Sequence, residues 1–426
     1  MKPHDLKTNK YSNRLPFVLW NQTIGFCLLL IGCCQFLNAQ LTINLKTAID
    51  TALKNNLQLK TEKQRSEYQQ KLIKTAANIP LTNVLGEYGQ MNSIYADNRF
   101  GVSQSFNFPS VYVKQKNVLT EEWKIAVLCV TMKEAELKKA VTQLFYMSLY
   151  LREKEKLLLK SDTIYTEFLK KTELRFAKGE SNILEKTTAE MQRGNIELQL
   201  KQLQQEKESI GIQFQVLLNT QANYKPEELN FKITSYSAAD SNLIKDHPLL
   251  KLMQQQKQMS IANTQLEKSK LLPDINVGYY NMTMRGTGAD NVLYNASNRF
   301  QSAQVGLGIP LFFGAQKARI SASKMYQHIA ESNYLQEKQV IEKQYQSAFS
   351  QYQNYVKTVA YFEQTALKNA TLINETANKQ FVDGDINYLD WVMLTNQAIN
   401  IKSNYIDAVK ALNESIIQLN YLTSKL

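Results

Sequence analysis

The sequence is short of chain breakers and of reactive side chains. Its 426 residues include only 15 glycines, 8 prolines, 4 cysteines and 3 histidines. So few breakers, separated by long tracts rich in Lys, Glu, Gln and Leu, exclude a string of ordinary globular domains and favour long helices. Cys27, Cys33 and Cys34 all fall near the N-terminus. Cys129 is then alone in the body of the chain, within Val127-Leu-Cys-Val, which excludes a disulfide framework and reads as a small packing residue. The histidines are isolated from one another: His4 at the start, His247 in Asp246-His-Pro and His328 in a Lys/Gln-rich stretch. Loop or surface roles suit the last two better than metal ligation. No acid, base and nucleophile cluster together, so no catalytic, cofactor-binding or metal-binding residue is expected, and no cofactor. Gly306-x-Gly308 lies in an alternating strand and not at a strand-to-helix turn, which excludes a nucleotide site. The net charge of +12 is dispersed, with no basic block, which argues against nucleic acid.

Long apolar runs are missing after the first forty residues. No later segment reaches the roughly 18 uninterrupted apolar residues of a membrane helix. At the start, a basic stretch (Lys2, Lys7, Lys10, Arg14), the apolar run from Phe17 to Leu37 and the small-residue end Asn38-Ala39 form an export signal over residues 1–39. Leu30-Ile31-Gly32-Cys33 also resembles a lipobox, so cleavage before Cys33 with lipidation competes with cleavage after Ala39.

What the chain does contain, it contains twice. Pro80-Leu-Thr-Asn-Val and Asn98-Arg99-Phe100, running to Pro109, return as Pro273-Asp-Ile-Asn-Val and Asn298-Arg299-Phe300, running to Pro310. Four of the six prolines beyond residue 39 bracket these two segments, and eight glycines lie inside them. Between the prolines the pattern alternates. Phe100, Val102, Gln104, Phe106 and Phe108 oppose Gly101, Ser103, Ser105 and Asn107, and Ala303, Val305, Leu307 and Ile309 oppose Ser302, Gln304, Gly306 and Gly308. Each bracket therefore predicts a β-hairpin, with strands near 82–92, 99–108, 275–284 and 300–309. Strands of about ten residues with this alternation have the length of a tilted outer-membrane strand, or of a soluble sheet with one wet face. Met282 and Met284, two apart, lie on one strand face where they could meet ions, and read rather as flexible packing residues.

Helix is predicted over Leu41 to about Asn78 and on either side of two Phe-x-x-Gly sequences, Phe176 to Gly179 and Phe381 to Gly384. Tyr112 to Lys178 and Gln316 to Asp383 would each run about 100 Å at 1.5 Å per residue. Leu137, Val141, Leu144, Leu151, Leu158 and Tyr165 follow heptad spacing, as do Ile196, Leu200, Leu203, Ile210, Phe214 and Leu217, and again Tyr405, Val409, Leu412, Ile416 and Leu419. These are coiled-coil seams. The glycines supply a tight reversal between antiparallel helices. The implied organisation is residues 40–218 as a first repeat (helix, hairpin 81–109, long helix, Gly179 turn, return helix), 219–245 as a linker with a short strand at Leu229 to Ile233, and 246–426 as a second repeat with hairpin 274–310 and the Gly384 turn. A duplication this large points to a symmetric conduit or scaffold. Four lipid-facing strands would also leave two open edges, which demands an oligomer.

This order, together with Ala52-Leu-Lys-Asn-Asn, the proline-bracketed hairpins, Ile309-Pro-Leu-Phe-Phe-Gly314 and both Phe-x-x-Gly turns, resembles the TolC family of outer-membrane efflux channels. The resemblance covers essentially all of Leu41 to Leu426. It implies a mainly α fold with membrane β: long antiparallel coiled-coil helices in a periplasmic α-barrel, and four strands per protomer in a shared 12-stranded β-barrel of a homotrimer. It also implies an outer-membrane location with a periplasmic extension, a periplasmic adaptor and an inner-membrane pump as partners, and export as the function. Tyr88-Gly-Gln-Met-Asn, Ser103-Gln-Ser-Phe-Asn-Phe-Pro109 and Gly306-Leu-Gly-Ile-Pro-Leu-Phe-Phe-Gly-Ala-Gln-Lys-Ala-Arg319 are similar to the CusC/CzcC-like members that accompany RND pumps of the CusA/CzcA type, which implies heavy-metal cations as cargo. Drug efflux or type I secretion through the same fold is the alternative; a periplasmic coiled-coil adaptor is the alternative of another class. By the family pattern Asp390, six residues past Gly384, occupies the channel constriction, with Glu185, Asp383 and Asp385 as further candidates. Met393 stands where some relatives carry a second Asp. Phe176, Gly179, Phe381 and Gly384 mark the helix-turn tips for adaptor docking.

Overall fold

The computed structural model describes residues 41–234 and 241–425; the export signal, Cys33 and Ala39 lie outside them. The chain begins with a three-residue strand, β1 (Leu41–Ile43), and two helices, α1 (Leu45–Asn55) and α2 (Leu57–Leu72), closed by a 3₁₀ turn at Ile73–Ala77. A single helix over 41–78 is thus corrected, and two asparagines explain the breaks. Asn44 caps α1 by accepting from the Thr47 N–H at 2.8 Å, and Asn56 caps α2 by accepting from Leu59 at 3.1 Å.

The first hairpin is β2 (Asn83–Gly89) and β3 (Asp97–Phe106), followed by a 69-residue helix, α3 (Pro109–Ala177), and the return helix α4 (Ile183–Leu218). Strand β4 (Tyr224–Pro226) then pairs in parallel with β1. The strand expected at Leu229 to Ile233 does not form. The Asn413 side chain takes the place of a strand partner, donating to the Phe231 carbonyl at 2.5 Å and accepting from the Ile233 N–H at 2.9 Å.

After α5 (Pro248–Ser269) the second copy comprises β5 (Asp274–Met282), a small ribbon of β6 (Gly286–Thr287) and β7 (Leu293–Tyr294), β8 (Phe300–Gly308), α6 (Gly314–Tyr361), α7 (Leu367–Asp383) and α8 (Tyr388–Leu422). A π-helical turn, Phe362–Ala366, joins α6 to α7. His247 is not a surface residue. It is buried as the N-cap of α5, with Nδ1 accepting from Leu249 and Nε2 left without a partner. Burial, with the Lys139 charge adding to it, lowers its pKa to about 4.

The heptad positions form the interior. Ile43, Ala52, Leu59, Leu137, Val141, Phe145, Phe214 and Leu218 make one cluster between α1, α2, α3 and α4. Ile244, Leu250, Ile341, Tyr345, Leu419 and Leu422 make its counterpart in the second half. No helix among the described residues is long and apolar enough to cross a membrane.

Strands from both copies form one antiparallel sheet in the order β2-β3-β5-β8. Rows of directly paired residues put Phe106, Ile275 and Leu307 on one face, with Gln104, Val277 and Val305 in the next row of that face and Val84, Val102 and Tyr279 in the one beyond, and most of these are exposed. The opposite face carries Glu87, Arg99, Tyr280, Ser103, Ser105, Asn276 and Gln304 among glycines. Met282 ends β5 on this polar face, whereas Met284 lies beyond the strand. The helices leave the sheet at Pro80, Pro109, Pro273 and Pro310, all at the same end because the strands alternate in direction, and each proline bars its strand from further ladder pairing.

Candidate functional site

The far end of the helices carries two turns built alike. Each α3 or α7 stops at a glycine in the left-handed region, Gly179 with φ 76° and Gly384 with φ 84°. The next N–H reaches back to the last turn: Glu180 to the Arg175 carbonyl and Asp385 to the Gln380 carbonyl, both at 2.8 Å. This is the 6→1 closure of a Schellman turn, and it requires the positive φ that glycine adopts without strain. Three residues after each glycine an asparagine caps the return helix. Asn182 accepts from the Glu185 N–H and Asn387 from the Asp390 N–H, both at 3.0 Å. Each acidic residue thus sits in the first turn of a helix, where the dipole favours its charge.

The two acids nevertheless have different surroundings. Glu185 is 4 % exposed and held from two sides: Arg175 donates to Oε1 at 3.0 Å, and the Ser181 hydroxyl donates to Oε2. The residue matching Arg175 in the second copy, four before the glycine, is Gln380. Asp390 accordingly has no ion-pair partner among the described residues and is half-buried. Asp383 and Asp385 flank Gly384 and are exposed. Of the four candidates, Glu185 is the one whose carboxylate is already fully engaged within its own chain.

The two phenylalanines also diverge. Phe381 joins an aromatic cluster with Phe168 and Trp391, at ring-centroid distances of 5.9 and 5.3 Å, while Trp391 lies 4.5 Å from Phe168 and 6.1 Å from Tyr165. The Trp391 indole N–H donates to Asn378 at 2.7 Å, and the Tyr165 hydroxyl donates to Asn396 at 2.8 Å. Burial pushes the Tyr165 phenol above its ordinary range, so it stays a donor. Phe176 is 40 % exposed, with Lys186, which matches Trp391 in position, 5.8 Å above its ring. The Phe381 tip is therefore packed and the Phe176 tip open. Sequence reasoning passed over Arg175, Asn182, Asn387 and Trp391; the spacing of Asn and an acid three residues on was the signal for the caps.

A cavity of about 460 Å³ lies beside these turns, lined by Phe168, Leu174, Arg175, Glu185, Phe381 and Val382 among others. Among the described residues no three His, Cys, Asp or Glu side chains gather as a metal set.

Residues 241–424 match the family model described as outer membrane efflux protein. No curated protein matches the chain. Solved structures do. CusC is similar with 16 % identity and TM-score 0.75, over 90 % of this chain and 93 % of that one. The Campylobacter jejuni CmeC outer membrane channel is similar with 13 % identity and TM-score 0.74, over 89 % and 85 %. The outer membrane protein VceC of Vibrio cholerae is similar with 12 % identity and TM-score 0.72, over 89 % and 95 %. At TM-scores of 0.72 to 0.75 over nearly the whole chain, these likenesses give this chain the fold of an outer-membrane efflux channel.

Proposed function

We propose that the chain is one protomer of a passive trimeric duct that carries solutes across the periplasm and outer membrane, joined through a periplasmic adaptor to an inner-membrane pump. The observation that carries this is the sheet: four strands, three of them 9 or 10 residues long and so of membrane length, one apolar face, and two edges, β2 and β8, with no partner among the described residues. Unpaired backbone groups in lipid cost several kcal/mol each, so the edges must meet those of further copies. Three copies give the family's twelve strands, and helices of about 100 Å carry the duct towards the inner membrane. The two-hairpin membrane sheet argues against the adaptor or scaffold alternative, since a soluble adaptor has no use for an apolar outer face.

For the site, Asp390 is assigned to the constriction. It is the first-turn acid without an internal cation, so three copies around an axis would present carboxylates that favour cations and repel anions. The Phe176–Gly179 and Phe381–Gly384 turns are assigned to adaptor docking. For the cargo, the Gly306 to Arg319 resemblance supports heavy-metal cations and a pump of the CusA/CzcA type, with drug efflux or type I secretion as the rival use of the same fold.

The protein is expected in outer membranes as a detergent-extractable trimer; recovery as a soluble periplasmic monomer would refute the channel. A deletion strain grown across a panel of transition-metal salts and bulky drugs decides the cargo. Greater sensitivity to metals is expected, and the reverse pattern assigns it to drug efflux.

A further inference from the structure

On the polar face of the sheet, near the end away from the helices, Tyr280 lies flat against the wall. A Cβ at Gly101, its direct partner on β3, would stand 2.5 and 2.6 Å from the Tyr280 ring carbons Cδ1 and Cε1. A Cβ at Gly278, two residues back on the same strand face, would stand 3.1 Å from Cε2 and 3.3 Å from the hydroxyl. The ring occupies the space that these two absent side chains vacate, and both glycines are buried although they face the open side of the sheet. Arg99 closes the arrangement. Its guanidinium sits 4.7 Å over the Tyr280 ring and pairs with Glu87 at 3.5 Å, in the adjoining row of the same face. Such a stack holds an aromatic ring by its π face, and the carboxylate offsets the guanidinium charge. Neither Gly101 nor Gly278 serves a turn, and neither has positive φ; what they provide is room.

The geometry points to Tyr280 as the residue that sets the bore of the duct at its extracellular end: docked against Gly101 and Gly278 it leaves the exit wide, and displaced from them, in three copies at once, it narrows the exit. The inference rests on the channel reading above, in which the polar face lines the lumen. Arg99 acts on the bore only through Tyr280 and is a positioning residue.

The test is asymmetric polymer exclusion. Purified protein in planar bilayers is given polyethylene glycols of graded size on the extracellular side alone, and the smallest polymer that no longer lowers conductance marks the cutoff. Gly101→Ala is expected to shift the cutoff to smaller polymers, Tyr280→Ala to larger ones, and the double variant to return it to the wild-type size or beyond. Arg99→Ala should shift it downwards only while Tyr280 is present. Tyr280→Ala removes atoms from a water-filled face, so it stands as the test even if Gly101→Ala does not assemble. A conducting trimer whose extracellular cutoff is unmoved by Tyr280→Ala, or moved downwards by it, overturns the inference alone. A wild-type protein that neither trimerises nor conducts overturns the channel reading and this inference with it.

Discussion

Truncating Trp391 should loosen the turn end of the molecule without touching the sheet. The indole is 4 % exposed, meets Phe168, Phe381 and Tyr165, and donates to Asn378. Removing a buried aromatic of this size to alanine costs about 3–5 kcal/mol in lost transfer and residual cavity. Each ~1.4 kcal/mol is tenfold in an equilibrium, so local opening of the tip should rise by roughly two to three and a half powers of ten. The effect should stay local, because the other clusters along the helices share no member with this one. Hydrogen exchange read by mass spectrometry on the purified protein reports it: peptides covering 165–196 and 377–399 should lose protection, while those covering β3 and β5 keep it. Trp391→Phe retains the ring contacts and gives up one hydrogen bond of about 0.5–1.5 kcal/mol, so its change should be at most about tenfold. Wild-type exchange at the tip in Trp391→Ala would show that the aromatic cluster does not hold the turns. Uniform loss of protection along the whole chain would show that the tip is not an independent unit.

Gly179→Val or Gly384→Val forces a β-branched residue into positive φ, at a cost of about 1–3 kcal/mol; crosslinking to the adaptor should weaken while trimer yield on gels is kept, and normal crosslinking with normal efflux in both would refute the docking assignment. Asp390→Ala should raise the conductance of the closed channel or lower its cation preference in planar bilayers, whereas Glu185→Ala, which strands Arg175, should chiefly expose the first turn to proteolysis; if Glu185→Ala alone changes conductance and selectivity, the constriction belongs to the first copy. His247 binds its proton less readily folded (about 4) than unfolded (ordinarily 6.5), so the unfolded chain holds more protons between those values and stability should fall as pH drops through that window. His247→Asn keeps a helix cap and removes the titration, so thermal melts between pH 6.5 and 4 should flatten, and an unchanged slope would refute the assignment.

Most of the architecture was legible because the elements are long and regular. Heptad stripes such as Leu137, Val141 and Leu151 declare a buried seam, and alternation from Phe100 to Phe106 between prolines declares a strand with two unlike faces. The strand ends moved by a few residues, since ladder pairing and not composition sets where they stop. The β1–β4 pair was illegible because three residues carry no alternation, and the segment at 229–233 misled because Asn413, 180 residues away in sequence, satisfies its backbone. At the tips the duplicated motif concealed a difference. Phe176 and Phe381 share a signature, yet their environments depend on Lys186 against Trp391, and those of Glu185 and Asp390 on Arg175 against Gln380. Such contrasts lie in the partners, which a motif does not contain.

The pairing scheme also divides the two ends of the molecule differently between the halves of the chain. Strand β1 finds β4 within the first half of the chain, and the Leu45 N–H bonds Glu228, 183 residues on. The four-stranded sheet, by contrast, is continuous only once β5 pairs with β3. A chain that has emerged only as far as Ile233 already holds both strands of the parallel clasp but just one of its two hairpins. The shaft waits on the second half as well, since the tip cluster joins Tyr165 and Phe168 to Trp391 and the Phe231–Ile233 segment leans on Asn413, so shaft and sheet are completed together by the same later residues.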